Sequence, residues 1–489
     1  MPSDGSGKRG QTRSIARRGS TLLIAALCAT ACAAGVAFGS DGTARAAVAA
    51  GKTYSTTLQY VIRFYPRFMT YFQQTYGKTG INALTGPARV NQKYGLVVAI
   101  NVDTIYAEDF VDLAAGPQVL TVPKTNDHYS LLTLDMFGNV FQTNVTSAGT
   151  YALVPKGYAG TLPSGLTKVT VPYRFTTWIF RADRYAPDGT NMVRQARAFR
   201  RGLRATSLAK WEADHAAGRP RILPVALYGP QMKAIADEAI ANQPTGYLRE
   251  LQAALRSPTT QPLSPSDRRL SRAFDRVFQR ANAAAARGSY QMLSQIIAAT
   301  RDAHAMIINR WQTHIGPTRW VHFGNIGEWG HAYLDRAALS EYIQFGNNAA
   351  AAQYYNAFTN RNGTPLDGSI APERITFPAN NLPQASRFWS LTAYIPPGAT
   401  LYPNRNNKFV VARYTPGLKT NRNGSITIYI RHTRPRFAPK ANWLPVPNGP
   451  YSLLLRIYGP EGNTAPGAHY APPEIRPFGL PGGSTSFLT

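Results

Sequence analysis

Two short segments decide the fold: Asn101-Val-Asp-Thr-Ile-Tyr106 in the first half of the chain and Ala441-Asn-Trp-Leu-Pro-Val-Pro447 near its end. Each lies in a stretch rich in β-branched and aromatic residues, a composition that favours strands. The pair therefore predicts two β regions that are far apart in sequence. Neither segment specifies a reaction.

Working outward from the first segment, the sequence predicts a helix and then a series of short strands. Apolar residues between Leu58 and Phe72 recur at helical spacing, and Pro66 should kink or divide that helix. The β-prone runs that follow are separated by turn-forming residues. These runs are Val119–Val122, Tyr129–Phe137, Thr150–Val154 and Lys168–Phe180. We expect a β domain built from sequential strands.

A helical block separates this domain from the second β region. Its clearest helix is predicted from Asp267 to about Gln312, with a break at Gly288. Beyond it, strands are predicted at Phe388–Tyr394, Phe409–Tyr414, Ser425–His432 and Tyr451–Tyr458. Asn423-Gly424, directly before an alternating run, predicts a hairpin. From about Gly459 the chain should form an extended tail.

The first 48 residues are typical of a signal peptide. Basic residues precede an apolar stretch from Thr21 to Phe38, and the small-residue run Ala44 to Ala47 resembles a cleavage site. A retained membrane anchor is the alternative interpretation, and Arg17-Arg18 leaves the twin-arginine route open beside the general secretory one. We therefore predict a secreted, periplasmic or cell-envelope protein with no retained transmembrane span.

The cysteine content and the net charge limit the reactions and partners expected of the mature chain. Both cysteines, Cys28 and Cys32, lie within the leader, which excludes thiol nucleophiles, disulfides and cysteine-ligated metals from the mature chain. Removing residues 1–48 takes away six of the 53 basic and two of the 25 acidic residues, which leaves 47 and 23 and a net charge of +24. Such an excess favours an anionic partner, or it serves only solubility.

Several segments of the sequence, taken in order, resemble bacterial exported proteins that carry in tandem the domains of unknown function catalogued as families 1254 and 1214. Matching segments in the first half include Asn101–Tyr106, Asp112–Pro123 and Tyr129–Phe141; those in the second include Gly363–Gly368, Phe388–Thr392 and Asn442–Pro447. The resemblance implies an α+β protein with two β-sandwich or jelly-roll-like domains joined by a helical insert, often assembled into homo-oligomers. It implies no established activity. After Tyr394 the family usually has Asp, whereas this chain has Ile395, so any acid role there is lost.

The expected organisation has four parts. Residues 1–48 form the signal peptide and 49–190 the N-terminal β domain with its leading helix. Residues 191–359 form the helical insert or linker, and 360–489 the C-terminal β domain with its tail.

The first segment concentrates polar groups that could form a site. Asn101, Asp103, Thr104 and Tyr106 precede a strand, where residues 101 and 103 would share a face, or they bond local backbone in a turn. Asp135, with Asn139 nearby, lies in an apolar run, so its carboxylate must have a partner. One hypothesis makes Asp103 and Asp135 an acid/base pair or a site for a hard cation, and the other gives Asp135 a structural partner.

The second β region mixes aromatic rings with guanidinium groups. Its candidate ligand-binding residues are Trp389, Arg431, Asn442 and Trp443, with Tyr429 and Arg456 beside them. Such a set suits stacking of a sugar and bidentate contacts to an anion, and core packing of the rings is the alternative.

Arginines of the helical block predict a cationic stripe. Arg194, Arg197, Arg201 and Arg204 recur at helical spacing with Arg200 adjacent, which suits an anionic polymer or a solvated face. No motif predicts a zinc site, a serine-hydrolase elbow, a nucleotide-binding loop or specific nucleic-acid recognition, so we expect no cofactor.

Three functions stay open. The first is an exported protein that binds an anionic or glycan small molecule, or an envelope polymer, in a pocket of the β domains. The second is an exported hydrolase or lyase that uses Asp103 and Asp135 on a phosphate ester or glycan. The third is a structural scaffold.

Overall fold

The structure, a computed structural model, describes residues 51–77, 80–87, 90, 98–213 and 232–479. In this part the chain is α+β, with eight α-helices, four sheets and a helical region between the sheets. No sheet is closed or curled. The predicted leader and the last ten residues of the tail lie outside the described residues.

The helices are numbered along the chain. They are α1 Lys52–Gly77, α2 Val193–Gly202, α3 Leu208–Ala213, α4 Met232–Asn242, α5 Pro244–Arg256, α6 Pro265–Ala285, α7 Gln291–Thr313 and α8 Tyr333–Tyr342. The predicted break near Gly288 is confirmed, because α6 and α7 end and begin on either side of it. Helix α1 is continuous through Pro66 and packs against α4 to α8, so it belongs to the helical layer.

The N-terminal half contains two sheets. Their strands are β1 Thr104–Asp112, β2 Gln118–Val122, β3 Tyr129–Leu134, β4 Gly149–Pro155, β5 Thr167–Val171, β6 Phe175–Asp183 and β7 Arg204–Ser207. One sheet has the order β1-β6-β3 and the other β5-β4-β2-β7. Most sheet neighbours are therefore not consecutive in the chain, contrary to the expected run of sequential strands. The final strand, β7, comes from the segment assigned to the helical insert.

The C-terminal half also contains two sheets. Its strands are β8 Val321–His322, β9 Ala352–Ala357, β10 Glu373–Phe377, β11 Ala385–Ile395, β12 Thr400–Leu401, β13 Val410–Ala412, β14 Ile426–Ile430, β15 Trp443–Leu444, β16 Ser452–Pro460 and β17 Ile475–Pro477. The orders are β12-β11-β16-β9-β8, with β13 beside β11, and β15-β14-β10-β17. Strand β17 lies in the predicted tail and pairs with β10.

Each half has its own core between its two sheets. Strand alternation turns Ile105, Leu153 and Trp178 into one core, and Leu391, Ile428 and Leu455 into the other. The opposite faces of sheets β1-β6-β3 and β12-β11-β16-β9-β8 join the helices in a third, larger core. Tyr106 and Tyr458 belong to this shared core. The boundary between the halves is thus part of the interior.

The length and hydropathy of the helices decide whether one of them could span a membrane. Within the described ranges, no helix is both long enough and apolar enough to cross a membrane.

Candidate functional site

A seam of buried polar side chains lies where the two halves meet. Strand alternation places Tyr106 and Arg181, which are opposite each other in register, on the face of β1 and β6 that points away from the N-terminal core. On the C-terminal side, Arg456 lies opposite both Ser390 and Tyr354. Polar residues therefore occupy an interior position that a simple core would fill with apolar ones.

Asp103 joins the two halves directly. Its carboxylate accepts a hydrogen bond of 2.5 Å from the Ser390 hydroxyl and another from the Tyr414 hydroxyl. Burial raises the pKa of Asp103, and these two hydrogen bonds oppose that shift. The Asn101 side-chain carbonyl accepts the Asp103 backbone N–H at 2.7 Å, which is the local turn bond that formed one of the two interpretations of this segment.

A second set of bonds lies at the seam. The Arg456 guanidinium donates to the Tyr394 hydroxyl at 2.8 Å and to the backbone carbonyl of Ala99. Arg387 on β11 forms an ion pair with Asp183 on β6. Breaking a buried charge pair by removing one partner is strongly destabilising, so these contacts fix the halves in one arrangement.

Next to these bonds lies a small cavity. Its volume is about 20 Å³, enough for one water-sized guest. Its lining combines guanidinium, amide, phenol and carboxyl groups with apolar side chains. The polar members are Asn101, Tyr106, Glu108, Arg181, Tyr354, Arg456 and Tyr458. Asn101 and Tyr106 come from the predicted site, whereas Thr104 is buried nearby without lining the cavity.

The cavity wall contains unused hydrogen-bond donors. Arg181 is 4 % exposed and donates through Nη2 to the Phe345 carbonyl at 2.9 Å, while its Nε and Nη1 have no partner. The Asn101 side-chain nitrogen, on a residue 3 % exposed, also has none. A buried donor without an acceptor is costly. The wall is therefore suited to a guest that accepts hydrogen bonds and carries negative charge.

Glu108 brings a titrating group to the same wall. Burial raises its pKa to about 7, although the nearby Arg181 and Arg200 guanidinium groups oppose the shift. Protonation of Glu108 near neutral pH would leave the arginine charges of the cavity less compensated. The sequence reasoning missed Glu108 and Arg181, whose only signal was a charged residue among the apolar residues of a β-prone run.

Asp135 occupies a different setting from Asp103. Its carboxylate accepts hydrogen bonds from the backbone N–H groups of Phe137 and Asn139, from the Asn139 amide at 2.7 Å and from the Gln261 amide at 2.7 Å. It shares no hydrogen-bond partner with Asp103. This geometry matches the hypothesis of a structural partner, and Asn139 serves that partner role.

Three of the four ligand candidates in the C-terminal half contact other parts of the protein. Trp389 is buried and stacks on Phe377 in the core. The Asn442 amide donates to the carbonyls of Lys419 and Thr427 and accepts the Lys419 N–H. Trp443 donates to the Arg431 carbonyl at 2.8 Å. Arg431 itself follows β14 and is partly exposed.

The predicted arginine stripe is interrupted. Helix α2 ends at Gly202, so Arg204 lies on β7 instead. Arg200 is buried and donates to the carbonyls of Tyr106 and Gly86. Arg194 and Arg201 are exposed and Arg197 is partly so.

One cluster in the described part of the chain has the residue types of a metal site. The ligand atoms of Asp237, His304 and Glu341 lie within 4.8 Å of one another. However, the Lys233 ammonium lies 2.5 Å from Asp237 and also contacts Glu341, so it supplies the positive charge that a metal would bring. These contacts, with the Tyr65 hydroxyl bonded to Glu341, tie four helices together.

A larger open cleft lies on the N-terminal half. It has a volume of about 400 Å³ and is lined by polar residues that include Asp127, His128, Gln142 and Thr143. Burial raises the pKa of Asp127 to about 7, and the neighbouring Asp183 adds to the shift. The cleft contains neither Asp103 nor Asp135.

The fold and the seam define a class of protein: two β halves bonded through their interior and braced by helices. Residues 81–207 match the family described as Protein of unknown function (DUF1254), and residues 351–462 match Protein of unknown function (DUF1214). The chain thus belongs to the proteins with these two domains in tandem. The resemblance of its sequence to families 1254 and 1214 is confirmed.

One solved structure supports the fold, and a second is similar over much of the chain. The chain is similar to the VPA0106 protein from Vibrio parahaemolyticus, with a TM-score of 0.54 and 18 % identity over 87 % of this chain and 100 % of that one. An uncharacterized protein from Burkholderia cenocepacia gives a TM-score of 0.41 and 14 % identity over 87 % of this chain and 94 % of that one. No curated protein matches the chain.

Proposed function

We propose that the protein binds a small anion in the cavity between its two β halves. The observation that carries this proposal is the pair of unpartnered Arg181 nitrogens in the cavity wall, together with the unpartnered Asn101 amide. An anion would satisfy all of these donors, and charge-assisted hydrogen bonds are the strongest available to it.

The size of the cavity limits the ligand. A volume of about 20 Å³ admits a guest close to one water molecule in size. Chloride and the carboxylate of formate are of this class, whereas a phosphate ester or a sugar ring is much larger. This cavity therefore gives no support to the expected glycan or phosphate-ester ligand. It does support the expectation that the ligand is anionic.

The hydrolase or lyase alternative has weaker support. Asp103 bonds to Ser390 and Tyr414, whereas Asp135 bonds to Asn139 and Gln261. A panel of phosphoesters, glycans and esters tested on the native protein and on Asp103→Asn would revive this alternative if the native protein alone turned over a substrate.

The architecture of the two halves and the expected export of the protein extend the proposal. The two sheets of each half share a core in the manner of a sandwich, and their joined inner faces create the cavity. The leader-like first 48 residues support export to the envelope or beyond, and mass spectrometry of the N-terminus after expression in a bacterial host would test it. Cleavage near Ala46 or Ala47 is expected, and an uncleaved cytosolic chain would refute export.

Anion binding is tested by thermal unfolding at constant ionic strength with chloride, formate, acetate or phosphate as the variable anion. We expect a saturable rise of Tm with chloride or formate in the native protein and its loss in Arg181→Gln. Arg194→Gln, which removes an exposed arginine, should behave as the native protein does. The proposal fails if no anion stabilises the native protein more than it stabilises Arg181→Gln.

A further inference from the structure

The outer face of sheet β15-β14-β10-β17 carries a basic aromatic surface. Its inner face sends Ile375, Ile428 and Ile475 into the C-terminal core. Strand alternation turns their neighbours outward, and register sets Tyr429, Arg374 and Arg476 in one row across three strands. Arg374 and Arg476 are exposed, and Tyr429 is partly exposed.

Three rings form a platform on this face, defined here as Tyr429, Phe437 and Phe478. Their ring centroids lie 5.4 to 6.2 Å apart, and each pair meets edge to face. Phe437 is 49 % exposed, which is unusual for so large an apolar side chain that is supported by two other rings. The mutual packing holds the rings in place and leaves part of Phe437 open to solvent.

Basic residues surround the platform. The segment 431–440 holds Arg431, Arg434, Arg436 and Lys440 and no acidic residue. Arg476 forms an ion pair of 2.9 Å with Glu474. The exposed Arg374 guanidinium beside Tyr429 forms no ion pair within the described residues. Charge on this face is therefore strongly positive, so an occupant must be anionic.

We propose that this platform binds an acidic polysaccharide whose sugar rings carry carboxylates. The half-open Phe437 ring offers an apolar surface for the C–H face of one pyranose ring. Arginine guanidinium groups bind carboxylates in a bidentate manner. Arg374 lies opposite Tyr429 in register, and Arg436 directly precedes Phe437 in sequence. This surface lies on the far side of the C-terminal core from the cavity, so the proposal is independent of the small-anion site.

Other anionic partners fit the geometry less well. A membrane surface needs a broad apolar area to insert, and here one ring is half open. Single-stranded nucleic acid is held by several rings that stack on successive bases, whereas these three rings pack against each other. One stacking ring with flanking guanidinium groups matches one uronate unit of a polymer.

The test measures binding of the full-length mature protein to immobilised polygalacturonate, with neutral dextran as the comparison. We expect binding to polygalacturonate alone, with a loss of at least tenfold in affinity for Phe437→Ala and for Arg374→Gln. The matched controls are Tyr290→Ala, which removes another exposed ring, and Arg194→Gln. Both should bind within twofold of the native protein, and all variants should keep the native circular dichroism spectrum.

Several outcomes would overturn the proposal. Equal binding to dextran would show that the protein does not recognise the carboxylates of the polymer. Unchanged binding by Phe437→Ala would show that the platform does not contribute. Stronger Phe437-dependent binding to phosphatidylglycerol vesicles or to an oligonucleotide would assign the surface to a lipid or nucleic-acid partner instead. Binding that is unaffected by raising the salt concentration would also count against it.

Discussion

Asp103 and Ser390 are joined by a hydrogen bond of 2.5 Å across the boundary of the two β halves, although 287 positions separate them in sequence. The same carboxylate accepts a bond from Tyr414, so one residue of the first half holds two hydroxyl groups of the second. A residue that sequence patterns offer as a catalyst thus joins the two halves.

Replacing this carboxylate should destabilise the whole chain. We expect Asp103→Ala to lower the free energy of unfolding by about 2 to 4 kcal/mol, because two buried hydroxyl groups lose their acceptor. Urea denaturation measures the change. Glu328→Ala, at an exposed position, should stay within about 0.5 kcal/mol of the native value. A loss in Asp103→Ala no larger than in this control would contradict the joining role.

Arg200 should be distinguished from its neighbours by stability. Its guanidinium donates to the Tyr106 and Gly86 carbonyls in the interior, so Arg200→Met should cost about 2 to 4 kcal/mol. Arg194→Met and Arg197→Met remove side chains nearer to solvent and should change stability by less than about 0.5 kcal/mol. Chemical denaturation of the three variants decides the matter, and equal losses in all three would show that burial of Arg200 is not what matters.

Glu108 should make stability depend on pH. Its pKa is raised to about 7 in the folded protein from 4.5, so the stability it contributes is fully present below pH 4.5 and is lost as pH rises through 7. The loss amounts to about 3 kcal/mol at most for a shift of this size. Glu108→Gln should lack this component.

Other carboxyl groups shift in the same range, among them Asp109 and Asp127. The difference between the native and Glu108→Gln unfolding curves from pH 4 to 9 therefore isolates the effect of Glu108. Parallel curves would show that Glu108 does not titrate in the folded state.

The same carboxyl group should tune the proposed anion site. Below pH 7 a protonated Glu108 leaves the positive charge of Arg181 less compensated, so formate should bind more tightly at pH 6 than at pH 8, on the order of tenfold. Isothermal titration at the two pH values measures this ratio. In Glu108→Gln the ratio should fall to near one, and a ratio unchanged from that of the native protein would separate anion binding from Glu108.

His304 should stabilise the helical layer while it is protonated. Burial lowers its pKa, but ion-pair contacts of its ring with the carboxylates of Asp237 at 3.4 Å and Glu341 at 3.6 Å outweigh this and raise the pKa to about 9. The stabilisation is complete below pH 6.5 and is lost as pH rises through 9. We expect a decline of up to about 3 kcal/mol between pH 6.5 and 10 in the native protein and in His331→Gln, but not in His304→Gln. A decline of equal size in His304→Gln would assign it to another group.

Local patterns predicted the elements well and their partners poorly. The break between α6 and α7 follows from Gly288, and the turn at Asn423-Gly424 forms with Gly424 at a φ of 77°. Yet β14, which follows this turn, pairs with β10 and β15, so the predicted hairpin with the preceding strand is absent. Pairing is decided by which apolar faces meet in three dimensions, and local patterns along the chain do not reveal which faces these are.

The candidate site shows the same division. The segment Asn101–Tyr106 does lie at the seam, and Asn101 and Tyr106 line the cavity. The sequence points to Arg456 only as a neighbour of the C-terminal candidates and does not point to Arg181, because the two arginines lie on strands of different halves and meet at the cavity only in the fold. Trp389 and Trp443 look like ligand-stacking rings in sequence, but only the structure shows them buried.

The core that contains both Tyr106 and Tyr458 has an evolutionary consequence. Either half expressed without the other would expose a large apolar surface to water and would be prone to aggregate. Gene rearrangements that split the pair would therefore yield two failed products. We therefore expect the two matched domains to be inherited together and to fold as one unit.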